Sequence, residues 1–344
     1  MGCNPCNGSN EEGSINLPEL KSKYKQQEEF KKQFDIFLTN SESEKTKEED
    51  FYSNIQKDYL NYSNEHTLNY PRELPEKETL FEVEPIKFKN GNIFKGKWNN
   101  ENKFDGKGKY YIAKDDLFVE GIWDNGELKY GRIFLSDGNI YEGFIKDSKF
   151  NGNGKLILKD AVYEGKFENE EFRDGKMIWN NGYEYKGYFN GYCLQGKGKL
   201  KGPNGDIYEG DFKNNLFHGE GKYIYNSGNI YEGEFQYGIK KGKGKYISNN
   251  KYTYDGNWDN DVPFGYGKLT NWDDTCTLKC TFRAGKIAEE PIYEKGSKDN
   301  FNQDNFEIKP EEIKLNIKDL SHLNQYETET TQYQLGSMNS LLND

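Results

Sequence analysis

Five residues, aromatic-x-Gly-x-aromatic, recur along most of this chain at nearly constant spacing. The first position falls at Phe94, Val119, Tyr141, Tyr163, Tyr185, Tyr208, Tyr231, Tyr254 and Leu278, in steps of 25, 22, 22, 22, 23, 23, 23 and 24 residues. The glycine follows two residues later at Gly96, Gly121, Gly143, Gly165, Gly187, Gly210, Gly233 and Gly256, until Cys280 breaks the series. The second aromatic is Trp98, Trp123, Phe167, Phe189, Phe212, Phe235, Trp258 and Phe282, with Ile145 as the exception. A second signature, G-x-G-K, opens at Gly106, Gly152, Gly196, Gly219, Gly242 and Gly265. A period this constant over nine units predicts an array in which each unit buries its face only against its neighbours.

Each unit reads as a β-hairpin. In the strand around Tyr231, alternation puts Tyr231, Gly233 and Phe235 on one face and Glu232 and Glu234 on the other. In the strand that follows, Gly242, Gly244 and Tyr246 lie opposite Lys243 and Lys245. Asn90-Gly91, Asp137-Gly138, Asn181-Gly182, Asn204-Gly205 and Ser227-Gly228 are turn dipeptides suited to positive φ, so the chain is expected to meander. Glycine weakens a strand, and its return on the aromatic face implies rings lying over a floor without side chains.

These residues resemble the MORN repeat family, whose units carry a Y-x-G-x-W/F strand and a G-x-G strand. The resemblance covers Gly91 to about Lys286, with eight good units and a ninth that lacks the glycine. It implies an all-β repeat array, an elongated, twisted, single-layer antiparallel meander of about nine hairpins; the flanking residues themselves add a partly helical N-terminal flank and a partly disordered C-terminal tail. It also implies a scaffold role, membrane association and self-association, here as a homodimer through the array. The expected organisation is a flexible tail over 1–16, a helical flank over 17–69, a connector and lead-in strand over 70–90, the array over 91–286 and a C-terminal flank over 287–344.

Composition narrows the function classes. The array holds 30 Lys and Arg against 28 Asp and Glu, so all of the net negative charge of -11 comes from the flanks. A near-neutral array argues against a nucleic-acid partner, which needs a basic surface. The sequence has no apolar run long enough for a transmembrane helix and no secretory h-region, and its five cysteines make no disulfide framework, so the expected setting is cytosolic.

Residues that recur in every unit, and that the unit's own fold explains, do not mark one active site. The tyrosines Tyr141, Tyr163, Tyr185, Tyr208, Tyr231 and Tyr254 are therefore structural first, and candidates for partner binding along the aromatic face second. A basic ladder that includes Lys199, Lys222, Lys245 and Lys268 offers contacts to phospholipid head groups. Alternation, however, sets Lys245 beside Glu232 and Lys222 beside Glu209, where ion pairs absorb the charge. Gly191 to Lys197 fits the start of a phosphate-binding loop, but Gly198 stands where the Ser or Thr belongs. Three dispersed histidines, His66, His218 and His322, support neither a catalytic dyad nor a metal centre, and Cys276 and Cys280 read as packed thiols. No catalytic residue, metal or cofactor is expected.

The start, MGCNPC, has no fold to explain it. Gly2 is a myristoylation candidate, Cys3 a palmitoylation candidate and Cys6, where the motif prefers Ser or Thr, a third acyl site. Two chains hold a membrane where one does not. A redox or metal half-site at Cys3 and Cys6 is the competing reading.

Next, Leu20, Tyr24, Phe30, Phe34 and Phe37 form one helical stripe, and Tyr52, Ile55, Tyr59 and Tyr62 a second after a capping sequence at Ser41 to Glu44. These helices cap the array or bind a partner. Past Pro71, Pro75 and Pro85, a lead-in strand at Ile86 to Lys89 covers the first edge. Pro310 opens a third helix through Ile313, Ile317 and Leu320, and Gln325 to Asp344 is expected to be disordered. The far edge, beside the ninth unit, needs the C-terminal flank or a second copy of the chain to cover it.

The leading expectation is a non-enzymatic scaffold that is tethered to a cytosolic membrane face or the cell cortex and organises protein partners or the cytoskeleton. The alternatives are a phospholipid-binding module acting through the array, and a structural subunit of a cilium, flagellum or basal body.

Overall fold

Two kinds of tight turn build the molecule, and only one is marked by glycine. The computed structural model describes residues 31–296, apart from 36, 37, 39, 41, 42, 54, 56, 73, 75, 76, 78, 79 and 250, together with 315. It comprises two compact units, 1–129 and 130–344.

The turns between hairpins carry the Asn-Gly type of dipeptide. At 202–206 the carbonyl of Gly202 accepts from the Gly205 amide (3.1 Å), and the Asn204 side chain accepts from the Asp206 amide (3.1 Å). Only Gly205 takes a positive φ, +92°, so this is a type I turn closed by a glycine bulge, not a turn with two left-handed residues. The turns inside each hairpin are different. Asn169-Glu170, Asn214-Asn215 and Asn260-Asp261 have positive φ at both residues, the primed geometry that matches strand twist. Their second residue also ties one hairpin to the one before. The Asn215 side chain accepts from the Leu194 amide (2.6 Å), and Asp261 accepts from the Lys240 amide (2.8 Å).

Between these turns, strands pair antiparallel with their chain neighbours. In the second unit, for example, Cys193–Lys201, Ile207–Lys213, Leu216–Ile224, Ile230–Gln236 and Ile239–Ile247 follow one another across the sheet. Glycine meets glycine at each step: Gly198 with Gly210, Gly210 with Gly221, Gly221 with Gly233 and Gly233 with Gly244.

The five-residue motif is explained by what happens over those glycines. The Tyr208 ring lies across Gly210 and Gly221, so that a Cβ on Gly221 would come within 2.4 Å of the phenol oxygen. The Tyr208 hydroxyl donates to the carbonyl of Asp211 (2.9 Å), at the β-bulge where register shifts after Gly210. Phe212 meets Tyr208 edge-to-face at 5.1 Å, and Phe235 of the next hairpin does the same at 5.1 Å. The inter-hairpin contact repeats as Tyr185 to Phe212, Tyr231 to Trp258 and Tyr254 to Phe282, each at 5.0 Å. Such a ladder supplies the core of a chain otherwise rich in polar residues. Tyr208→Phe removes only the hydroxyl bond and is expected to cost about 1 kcal/mol, read as a lower urea midpoint with an unchanged slope; an unchanged midpoint would remove the bond from this account.

Short segments cover the edges. Phe81–Glu82 and Ile86–Lys87 both pair with Ile93–Trp98, and Glu44–Lys45 pairs with Ile86–Lys87. The lead-in strand is thus shorter than Ile86 to Lys89, and the capping sequence expected at Ser41 to Glu44 ends in a strand. At the other end, Lys286–Ile287 and Ile292–Lys295 pair with Thr277–Arg283. Residues of the C-terminal flank therefore cover that edge. Two paired short segments leave less open backbone than one long edge strand would.

The N-terminal flank packs on the first unit. Residues 31–35, 38 and 40 are helical, followed by helices Glu48–Ser53 and Lys57–Glu65. The second stripe is therefore two helices, not one. Ile55 and Tyr59 are its buried members, while Tyr52 faces lysines of the sheet and its neighbour Phe51 is buried in its place. Phe34 meets Trp98 at 4.9 Å, and Phe51 meets Phe118 at 6.5 Å. Leu20, Tyr24, Phe30 and Phe37 lie outside the described residues, as do Pro310 to Lys314, Ile317, Leu320 and the tail expected to be disordered. Leu315 is described: it is buried, and its amide donates to the Tyr223 hydroxyl (3.3 Å).

Candidate functional site

The two faces of the sheet have different chemistry. On the aromatic face, Tyr141, Tyr163, Tyr185, Tyr208, Tyr231 and Tyr254 are all 0% exposed. Five of their hydroxyls donate to a carbonyl three residues on: Phe144, Tyr188, Asp211, Glu234 and Asn257, at 2.8–3.0 Å. Burial pushes the phenols of Tyr141, Tyr185, Tyr208, Tyr231 and Tyr254 far above the usual tyrosine range, and takes Tyr110 up to about 12. None of the six sequence candidates presents ring surface to a partner. Their rings are the core.

The opposite face carries the lysines and carboxylates. Lys199 pairs with Glu209 (3.2 Å), Lys222 with Glu232 (3.6 Å) and Lys268 with Glu294 (3.3 Å). Lys245 stands in register between Glu232 and Asp255. The sequence paired Lys222 with Glu209; in the structure Lys222 turns to Glu232 and Lys199 takes Glu209. Exposed pairs of this kind contribute little stability, on the order of 0–1 kcal/mol each, but they leave little free positive charge for an anionic head group.

One position breaks the pattern. The residue after the motif's first position is acidic at Glu120, Glu142, Glu164, Glu209, Glu232 and Asp255, but is lysine at Lys95, Lys186 and Lys279; Lys279 is paired with Glu294 (2.6 Å). Lys186 lies directly opposite Lys176 on one side and Lys199 on the other. Lys176 pairs with Glu184 (3.2 Å) and Lys199 with Glu209. Lys186 has no ion pair among the described residues. It borders an open groove of about 630 Å³ whose floor is Gly187, Gly198, Gly210 and Gly221, and whose walls include Tyr188, Lys197, Lys199 and Lys222. Tyr188 is 58% exposed.

Lys95 is the counterpart in the first unit, and it is covered. It lies opposite Lys109 in register. The carboxylate of Glu48 pairs with the Lys95 ammonium, and that hydrogen bond and charge hold Glu48 below the usual carboxylate range. The Tyr52 ring centre is 5.3 Å from the Lys95 ammonium and 5.8 Å from that of Lys109. One helix, Glu48–Ser53, thus delivers a carboxylate and a ring, four residues apart, to two adjacent lysines.

Gly2, Cys3 and Cys6 lie outside the described residues. Cys276 and Cys280 are buried free thiols, and burial pushes Cys280 up to about 11. Gly191 to Lys197 forms a turn running into the strand Cys193–Lys201. Among the described residues, no His, Cys, Asp and Glu cluster could hold a metal ion, and no helix is long and apolar enough to cross a membrane. Sequence reasoning passed over Lys240, which occupies a core position held by Phe217 one unit earlier. It is 1% exposed, with its ammonium 5.3–5.5 Å from the ring centres of Tyr225, Tyr231 and Trp258. It also passed over Lys186, whose only signal is a lysine where the repeat has an acid.

Six segments, residues 94–116, 141–160, 185–207, 208–230, 231–251 and 254–271, match the MORN repeat, so the chain carries MORN repeats. No curated protein matches the sequence. Among solved structures, the wild-type TCP10 domain of Danio rerio CPAP is similar at 12% identity with a TM-score of 0.26, over 62% of this chain and 90% of that one. The SAS-4 TCP domain of Drosophila melanogaster, solved in complex with a proline-rich motif of Ana2, is similar at 11% identity with a TM-score of 0.23, over 63% of this chain and 98% of that one.

Proposed function

We propose that this protein is a non-enzymatic scaffold that binds other proteins through the polar face of its repeats and is held on a cytosolic membrane face by acyl chains at Gly2 and Cys3. The observation that carries the binding half is the asymmetry of the sheet: the aromatic face is core, while the opposite face in the second unit holds an open groove with a lysine that has no ion pair among the described residues. MORN repeats fit a scaffold whose contacts are with proteins or membranes. The ion pairs at Lys199, Lys222 and Lys268 favour protein contacts over a phospholipid surface. The membrane half rests on the MGC start and on the need for two acyl chains.

Flotation of the full chain from eukaryotic cells tests the tether. The wild type is expected to float with membranes and Gly2→Ala to remain in the soluble fraction. If both float equally, the acyl tether is wrong and the repeats or their partners hold the membrane.

A further inference from the structure

The first unit contains a worked example of what a lysine at this position accepts. Lys95 and Lys109 are like charges directly opposite each other, an arrangement that is unfavourable when left bare. The chain relieves it with its own helix, placing Glu48 on Lys95 and the Tyr52 ring beside both ammonium groups. Lys109 pairs in addition with Glu120 (3.8 Å), the next residue across the sheet.

Among the described residues, the second unit repeats the arrangement without the helix. Lys186 corresponds to Lys95, Lys199 corresponds to Lys109, and Glu209 on Lys199 corresponds to Glu120 on Lys109. Lys176 on the other side adds a third cation in the row. What differs is the occupant: where Glu48 and Tyr52 lie in the first unit, the second has the open groove of about 630 Å³. The groove as a whole is not strongly basic, since Asp174, Glu209, Glu220 and Glu232 also line it. A polyanionic surface would meet those carboxylates along its length. A single carboxylate with a neighbouring ring meets Lys186, Lys199 and Tyr188 over the glycine floor.

We infer that the Lys186 groove docks a helical turn of a partner protein that carries a carboxylate and an aromatic ring four residues apart, as Glu48 and Tyr52 are carried in the first unit. The partner's carboxylate pairs with Lys186, and its ring lies between Lys186 and Lys199 beside Tyr188. This inference rests on the protein-binding half of the proposed function and gives that partner a chemistry.

The test uses the full chain and a fluorescent synthetic peptide copying residues 46–55, TKEEDFYSNI. The chain's own helix keeps the Lys95 site filled, because tethering gives it an effective concentration on the order of millimolar. Saturable binding by anisotropy is expected. Lys186→Glu, which restores the acid found in six other repeats, is expected to weaken binding at least ~10-fold, the ~1.4 kcal/mol of one charge-assisted contact, with an unchanged melting temperature. A peptide with Gln for Glu48 and Ala for Tyr52 is expected not to bind. The inference is overturned if the peptide does not bind, if Lys186→Glu binds it equally, or if phosphoinositide vesicles bind in a Lys186-dependent way while the peptide does not. A parallel pull-down separates the levels. Partners recovered equally by wild type and Lys186→Glu, with no peptide binding, sink the groove and leave the scaffold; no recovered partner sinks the scaffold itself.

Discussion

Raising the pH from about 9 to about 11 is expected to unfold the repeats in one cooperative step, with tyrosinate absorbance and loss of β-sheet signal rising together. Tyr110, Tyr141, Tyr185, Tyr208, Tyr231 and Tyr254 are buried phenols whose ionisation is pushed well above that of a tyrosine in water. Below pH ~10 each is protonated in both the folded and the unfolded chain, and its contribution to stability is fully present. Above pH ~10 the unfolded chain releases these protons while the folded chain keeps them, so stability falls as pH rises. The loss continues until the folded groups ionise, which for Tyr110 is at about 12. Each phenol costs about 1.4 kcal/mol per pH unit in this window, and six acting together cost roughly 8 kcal/mol per unit, comparable with the whole stability of a domain. Absorbance and circular dichroism measured on the same samples decide it. Tyrosines that ionise smoothly around pH ~10 while the sheet signal persists would show that the rings are not sealed in the core.

Gly221→Ala is expected to destabilise the second unit by about 3 kcal/mol, a large effect for one methyl group. The new Cβ would lie 2.4 Å from the Tyr208 phenol oxygen and 2.5 Å from its ring carbon Cε2. The three nearest atoms all belong to the Tyr208 phenol, which lies over Gly221 and its cross-strand partner Gly210, so the ring has to leave its place. It then gives up its bond to Asp211 and its contacts with Phe212 and Phe235. The double variant supplies the sharper test. Tyr208→Ala alone costs roughly 3–5 kcal/mol through the cavity it leaves, but with Tyr208 already absent the alanine at 221 has no ring to strike. The two changes are therefore expected to sum to clearly less than their separate costs. Strict additivity in urea titrations would mean that the ring does not lie over this glycine pair.

These two predictions also show which parts of the structure could be read from the sequence. The period, the strand pairs and the rings over glycine followed from the spacing of Tyr208, Gly210 and Phe212, because alternation in a strand leaves those residues one shared face. The turns at Asn214-Asn215 and Asn260-Asp261 did not stand out, since primed turns are recognised by glycine and these use none. In the flank, Phe34, Ile55 and Tyr59 are buried as their stripes implied, but the first helix of the second stripe was read one residue out of phase. Tyr52 looked like core, yet Phe51 is buried and Tyr52 serves two lysines, a choice made by the sheet it packs on and not by the helix. The Ser41 to Glu44 capping signature lost to pairing of Glu44–Lys45 with Ile86–Lys87. Lys186 was present in the sequence throughout as Y-K-G among copies of Y-E-G, but its meaning depends on strand register. Only when Lys176 and Lys199 are laid opposite it does a substitution become an unpaired cation at a groove.

The turn side chains that reach back one hairpin bear on how such a chain folds. From Cys193–Lys201 to Ile239–Ile247 each strand bonds to its immediate predecessor and successor, and Asn215 and Asp261 extend that reach by only about twenty residues. Loop closure among these strands is therefore short, and a hairpin formed among them can template the next, with the long-range contact of Leu315 to Tyr223 added afterwards. Growth by addition of neighbours also means that fraying at one end costs only the terminal hairpin. A nascent chain leaving the ribosome could accordingly lay down one rung at a time, with the earlier rungs already ordered before the last has been synthesised.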